Sequence, residues 1–203
     1  MNPVFEAIYE RRSIRDFQKK PVPRDIVEKI IEAGNQAPYT SMDRMQPWRF
    51  VVAEAPEFRE KLREAVHPAW KKTMEGAKAI DPQIYENVMA LYNNLPEPKD
   101  MVYYAAPLII FAIAPPTNVV CAALASENMM LAAQSLGLGT CYVGFGAMVQ
   151  GSPEIVKALE LTDNERIYGP ILLGYPKEDS ESTVAKGFES FKPNKQAAKI
   201  KWI

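Results

Sequence analysis

Histidine is nearly absent from this chain. His67 is its one imidazole, and no second histidine or cysteine stands near it at metal-ligand spacing. Acid–base and metal chemistry built on imidazole is therefore poorly provided for, and His67 reads as a surface bystander. Cysteine is scarce too. Cys121 and Cys141 form no Cys-x-x-Cys pair and imply no disulfide framework, a usage that suits a reducing compartment. No apolar run reaches the roughly 18 residues of a spanning helix, and no basic, apolar leader opens the chain. A cytoplasmic protein without membrane contact is expected. The net charge of −1 offers no global field for nucleic acid, so any anion binding must be local. Gly-x-Ser-x-Gly, Walker and Gly-x-Gly-x-x-Gly patterns are all missing, and Gly137-Leu138-Gly139 reads as a helix stop. A chain with no recognisable acid, base or nucleophile of its own needs a cofactor to carry a reaction.

What is present fits one domain. The 203 residues allow burial of about 70% of the unfolded surface without disulfides or metals. Asn2-Pro3 looks like a helix start, with Val4, Phe5, Ile8 and Tyr9 on one face. A second helix is expected from about Pro23, stopped by Gly34. Residues 48–53 alternate as a strand, and Pro56 opens a helix carrying Phe58, Leu62 and Ala65. The region 68–104 is less regular, with a helix at about 83–94. It reads either as a substrate-facing lid or, more plainly, as a peripheral helical hairpin. Leu108 to Ala114 is a continuous apolar run, as for a strand covered on both faces. Residues 118–136 form the longest helical candidate, so rich in small and apolar residues that it is expected at the centre of the molecule or of a dimer. Within it Glu127 calls for a partner, a structural salt bridge or cap contact being the plainer role. A short strand at 140–145, a capped helix after Ser152 and a last strand at 167–173 follow. The fold class is α+β. The segment 177–203 is charged but ends in Trp202-Ile203, which suits an extended arm packed on another subunit.

The most distinctive stretch is Arg11-Arg12-Ser13-Ile14-Arg15-Asp16-Phe17. Guanidinium forks match phosphate oxygens bidentately and a serine hydroxyl adds a neutral donor, so the stretch is either an anion site or a solvated basic turn. Three further stretches follow it in order: Ala37-Pro38-Tyr39-Thr40 leading to Gln46-Pro47-Trp48-Arg49-Phe50, then residues 137–145 around Cys141-Tyr142-Val143-Gly144-Phe145, then Leu173-Gly174-Tyr175-Pro176. In this order and at these spacings the four stretches resemble the nitroreductase family of FMN-dependent oxidoreductases.

That resemblance implies a single domain over 1–203, with a central mixed, mainly antiparallel sheet flanked by helices and a C-terminal arm exchanged in a homodimer. It implies that Arg11, Ser13 and Arg15, with Arg12 beside them, grip the FMN phosphate, completed by Lys195 from the tail where the family more often has arginine. Pro38, Tyr39, Thr40 and Gln46 match the loop that lies against the flavin, usually from the partner subunit. Val143 and Gly144 match the strand-end pair whose backbone N–H groups face the ring. Two departures stand out. Arg44 occupies a position where the family commonly has asparagine, and is either solvated or faces an anionic substrate. Tyr39 replaces the usual serine and could narrow the pocket. The implied activity takes electrons from NAD(P)H through FMN to a nitroaromatic, quinone or similar acceptor. The alternatives are another flavin reaction (enone reduction or reductive dehalogenation), a non-catalytic FMN store or sensor, and a flavin-free phosphate- or nucleic-acid-binding module. The near-neutral charge and the lack of a basic stripe argue against the last.

Overall fold

The computed structural model describes residues 2–40, 45–177 and 200–202. Two of the expected site residues, Arg44 and Lys195, lie outside the described residues. Helix α1 (Pro3–Glu10) starts as its sequence predicts: the Asn2 side chain accepts the Val4 N–H at 2.9 Å, with proline at the first helical position. Helix α2 (Arg24–Asn35) follows. It runs one residue past Gly34, which is no stop but a contact. A Cβ at Gly34 would stand 2.7 Å from Met129 Cγ, so the glycine lets two helices approach closely.

Strand β1 (Arg49–Ala53) leads into helix α3 (Pro56–Ile80), and α4 (Pro82–Asn94) folds back on it. The region after Pro68 is more regular than expected and takes the helical-hairpin form: α3 continues through that proline and α4 packs on it. Proline removes the N–H that the Glu64 carbonyl would accept. Both residues lie on the exposed side, where water can serve that carbonyl, while Leu62, Val66 and Trp70 on the other side are buried. His67 is not the surface bystander expected. Its ring is half-buried and stacks on Trp70 and Tyr92, each at 5.9 Å.

Strand β2 (Leu108–Ala114), helix α5 (Val119–Ser135), strand β3 (Gly139–Tyr142), a 3-10 segment (Gly144–Gly151), helix α6 (Pro153–Ala158) and strand β4 (Arg166–Gly174) complete the described elements. The sheet order is β1-β2-β4-β3 with every strand pairing antiparallel. An isolated parallel bridge, Ser13 to Thr140, is what makes it mixed. All of β2 is buried, and its side chains alternate as a pleat requires. Ile109, Phe111 and Ile113 face Leu62, Val66, Trp70, Leu91 and Ile155, whereas Leu108 and Ile110 face Val27, Ile30, Met129 and Ala133. Two covered faces explain the unbroken apolar run. Within one chain helix α5 is buried on one side only; Val120 and Leu124 remain exposed at 66% and 42%, so it is not at the centre of the single chain.

Across the sheet, Arg49 of β1 grips Glu165 in a two-point ion pair at 2.8 and 3.0 Å. The same guanidinium donates to the Leu159 and Glu160 carbonyls just beyond α6 at 3.0 and 2.9 Å. The Arg49 guanidinium, helped by the Thr162 N–H and hydroxyl, holds the Glu165 carboxyl down from 4.5 to about 2. A depressed carboxylate stabilises the fold in full above its ordinary titration, and that contribution is lost as pH falls from about 4.5 towards 2. Glu165→Gln is therefore expected to lower stability by about 1–2 kcal/mol at neutral pH, a range reduced for the partial exposure of Arg49. Urea denaturation across pH checks this: wild type and variant should differ at pH 7 and converge at low pH.

Candidate functional site

Segment 11–17 leaves α1 as extended chain and docks along the open edge of β3. Ser13 and Thr140 form the parallel bridge, and the Ile14 N–H donates to the Thr140 carbonyl at 2.8 Å. Gly139 makes this approach possible, since a Cβ there would stand 2.8 to 3.0 Å from the Ile14 side chain. At the far end Phe17 bridges Pro176, and the Gln18 N–H donates to the Tyr175 carbonyl at 2.8 Å. Lys177 closes the arrangement, with its ammonium 2.7 Å from the Asp16 carboxylate. The edge that would otherwise expose unpaired backbone is thereby covered by the most basic stretch of the chain.

Within that segment the cations differ in role. Arg12 turns back and donates to the Tyr9 and Arg11 carbonyls, serving the C-terminal end of α1. Arg11 has its Nε 4.0 Å from the half-exposed Glu127 carboxylate of α5, the structural partner that Glu127 called for. Arg15 donates to the Ser13 carbonyl at 3.3 Å, and its guanidinium carbon lies 5.9 Å from the centre of the Tyr104 ring. Ser13, Arg15 and Arg11 all act on the buried Cys141 of β3, the strand on which their segment docks. Burial pushes that thiol up, while Arg15, the Ser13 hydroxyl and Arg11 act against the rise. Arg11, Ser13 and Arg15, grouped from the sequence, lie on the one segment that docks on β3. Sequence reasoning missed Tyr104 and Cys141, whose proximity arises from the chain's path and leaves no local signal.

Just beyond β3 the Val143 N–H donates to the Pro170 carbonyl at 2.9 Å, so in this structure that donor has a protein partner. Pro170 can sit inside a strand because Gly169 (φ 69°) and Pro170 lie where the β2–β4 register shifts, a bulge that asks no ladder bond of the proline. Gly144 is different. It is exposed, and a Cβ added there would meet nothing within 4 Å. Two residues on, the Gly146 carbonyl accepts the buried Tyr103 hydroxyl at 2.8 Å, which fixes the start of the 3-10 segment.

The loop after α2 builds a second group. Gln46 donates its amide to the Asn35 carbonyl at 2.6 Å, and the Trp48 indole donates to the Asn35 side chain at 3.3 Å. Tyr39 packs edge-on against Trp48 at 5.6 Å, with Pro38 and Thr40 exposed beside it. This group rests, through Ala37 and Trp48, on Cys121, Ala122 and Ala125 of α5, while the basic group meets the same helix at Glu127. An open hollow of about 530 Å³ adjoins it, lined in part by Gln46, Trp48, Asn118 and Asn164. Among the described residues no cluster of histidine, cysteine and carboxylate is suited to a metal ion, and no helix is long and apolar enough to cross a membrane.

Comparison with known proteins places this geometry. Residues 8–175 match the family described as "Nitroreductase family". A protein of Methanothermobacter thermautotrophicus, provisionally named NADH dehydrogenase/NAD(P)H nitroreductase, is 30% identical over 176 residues, covering 87% of this chain and 78% of its own length. The crystal structure of a nitroreductase with bound FMN from Bacteroides fragilis superposes with a TM-score of 0.73 at 27% identity, covering 100% of both chains. A second nitroreductase with bound FMN, from Desulfitobacterium hafniense, gives a TM-score of 0.73 at 25% identity, covering 100% of this chain and 99% of its own.

Proposed function

The chain belongs to the nitroreductase family, and from that premise we propose that it is an FMN-dependent oxidoreductase using NAD(P)H. The residues present fit the cofactor. A phosphate monoester is an anion rich in acceptors, and Arg11, Ser13 and Arg15 offer guanidinium and hydroxyl donors along β3. A flat ring needs backbone without a side chain in the way, and Gly144 leaves that space open. The observation that carries the proposal is the docking of the Arg11–Arg15 segment along β3, with the open Gly144 just beyond that strand's end. Bound FMN would supply the redox chemistry, taking hydride from NAD(P)H and passing electrons to a nitroaromatic, quinone or similar small acceptor.

The chain's own residues do the holding and shaping. Arg11, Ser13 and Arg15 bind the phosphoryl group, and Gly144 admits the ring to backbone contact. The Val143 N–H, engaged by Pro170, contributes by fixing the strand end. Pro38, Tyr39, Thr40 and Gln46 are proposed to reach the ring from a partner subunit, held at a set height by Asn35 and Trp48. Anaerobic titration with NADH and with NADPH tests the activity: loss of the flavin's visible absorbance, regained on adding a nitroaromatic or quinone, is expected. A protein whose bound flavin stays oxidised is instead a store or sensor.

The same reading includes a homodimer. Helix α1 packs on α5 yet leaves Val4, Phe5, Ile8 and Tyr9 exposed at 64, 54, 46 and 57%, and α5 itself exposes Val120 and Leu124. Apolar surface of this kind is usually covered by another molecule. Sedimentation equilibrium should give twice the chain mass, and a flavin-loaded monomer would contradict the shared site.

A further inference from the structure

The turn at 100–105 is built at a cost in backbone conformation. Tyr104 and Ala105 both adopt the left-handed region, at φ 51° and 50°, where a side chain is disfavoured. Asp100 holds them there. One carboxylate oxygen accepts the Val102 and Tyr103 N–H groups at 3.1 and 2.7 Å, and the other accepts the Ala105 N–H at 3.1 Å. Strain held this deliberately accompanies positions where a side chain must stand in one place.

The turn serves both sides of the candidate site. Tyr103 enters the core and donates to the Gly146 carbonyl at 2.8 Å, two residues beyond Gly144. Tyr104 packs at the margin of the same core, with its ring centre 5.9 Å from the Arg15 guanidinium carbon. Burial pushes its phenol up to about 12, with Arg15 pulling against that rise, so the ring stays neutral beside the cation.

We propose that Tyr104 is a positioning residue for the anion-binding guanidinium of Arg15, presented by a strained turn that Asp100 holds shut. The inference rests on the FMN reading above and extends it to a residue outside the four recognised stretches. An arginine side chain has many rotamers, and an aromatic ring beside its guanidinium reduces the freedom it must lose when phosphate binds.

The test is a double-mutant cycle on FMN affinity, read by quenching of flavin fluorescence. Tyr104→Leu should weaken FMN about 3- to 30-fold and leave riboflavin, which lacks the phosphate, unchanged. In an Arg15→Ala background the same substitution should have no further effect on FMN. Tyr104→Phe keeps the ring and should restore most of the affinity, and it serves as the working variant if the leucine form does not fold. In that case its small loss, about 2-fold, must also vanish without Arg15. Equal losses for FMN and riboflavin, additive losses in the cycle, or unchanged FMN affinity in Tyr104→Leu would overturn the positioning role while the flavin reading stands. A wild-type chain that takes up no FMN would overturn the flavin reading itself.

Discussion

Arg15→Ala is expected to purify largely colourless. Arg15 lies where the docked segment, the Cys141 end of β3 and Tyr104 meet. Arg11 by contrast lies 4.0 Å from Glu127, and Arg12 is engaged by carbonyls of its own helix end. Arg15, placed beside the Tyr104 ring, is expected to carry a substantial share of the anion affinity. Loss of one charge-assisted contact weakens binding by about 1.5–3 kcal/mol, roughly 10- to 150-fold. The measurement is the flavin-to-protein absorbance ratio after purification, followed by a titration of the variant with FMN. A variant as yellow as wild type would remove Arg15 from the site. Far-ultraviolet circular dichroism should be unchanged, because the guanidinium is not part of either covered face of the sheet.

Gly139→Ala should act on the same site from the other side. The added methyl would meet Ile14 at 2.8 to 3.0 Å, and the nearest atoms include Ile14 Cβ, which cannot swing away without moving the backbone. Segment 11–17 would have to lift from β3, loosening the Ser13–Thr140 bridge and the 2.8 Å bond from Ile14 to Thr140. Overpacking of this kind costs about 1–3 kcal/mol. Since the docking of segment 11–17 and the placing of its cations are one arrangement, FMN affinity is expected to fall by about 5- to 150-fold. Ile14→Gly combined with Gly139→Ala removes the Cβ at 2.9 Å as well as the branches, opens room for the methyl and should recover part of that affinity. A loss that the second substitution does not relieve would mean that the methyl obstructs the ligand rather than the segment.

The sequence told unevenly of these parts, for physical reasons. The unbroken apolar run of β2 was legible because a strand covered on both faces has no solvent side to mark, and Asn2-Pro3 was legible because capping is local. Pro68 was misleading. A proline's cost in a helix depends on which face it occupies, and that is settled by the packing of Leu62, Val66 and Trp70 far along the same helix. The two glycines of Gly137-Leu138-Gly139 show both outcomes side by side. Gly137, at φ 73°, is the helix stop the pattern suggested, whereas Gly139 matters for what crosses it, namely Ile14. Arg11, Ser13 and Arg15 could be grouped from the sequence because they are close along the chain. Tyr104 could not, since its place beside Arg15 depends on a turn whose left-handed residues carry no glycine to announce them.

The central claim is that side chains of segment 11–17, docked on β3, hold the phosphoryl group of a flavin. Titrating the flavin-free protein with FMN and with riboflavin, under identical salt, tests this most directly. The account predicts FMN tighter by at least about tenfold, the minimum expected of one charge-assisted contact to phosphate, with the advantage shrinking as salt rises. Equal affinity for the two flavins at every salt concentration would contradict it.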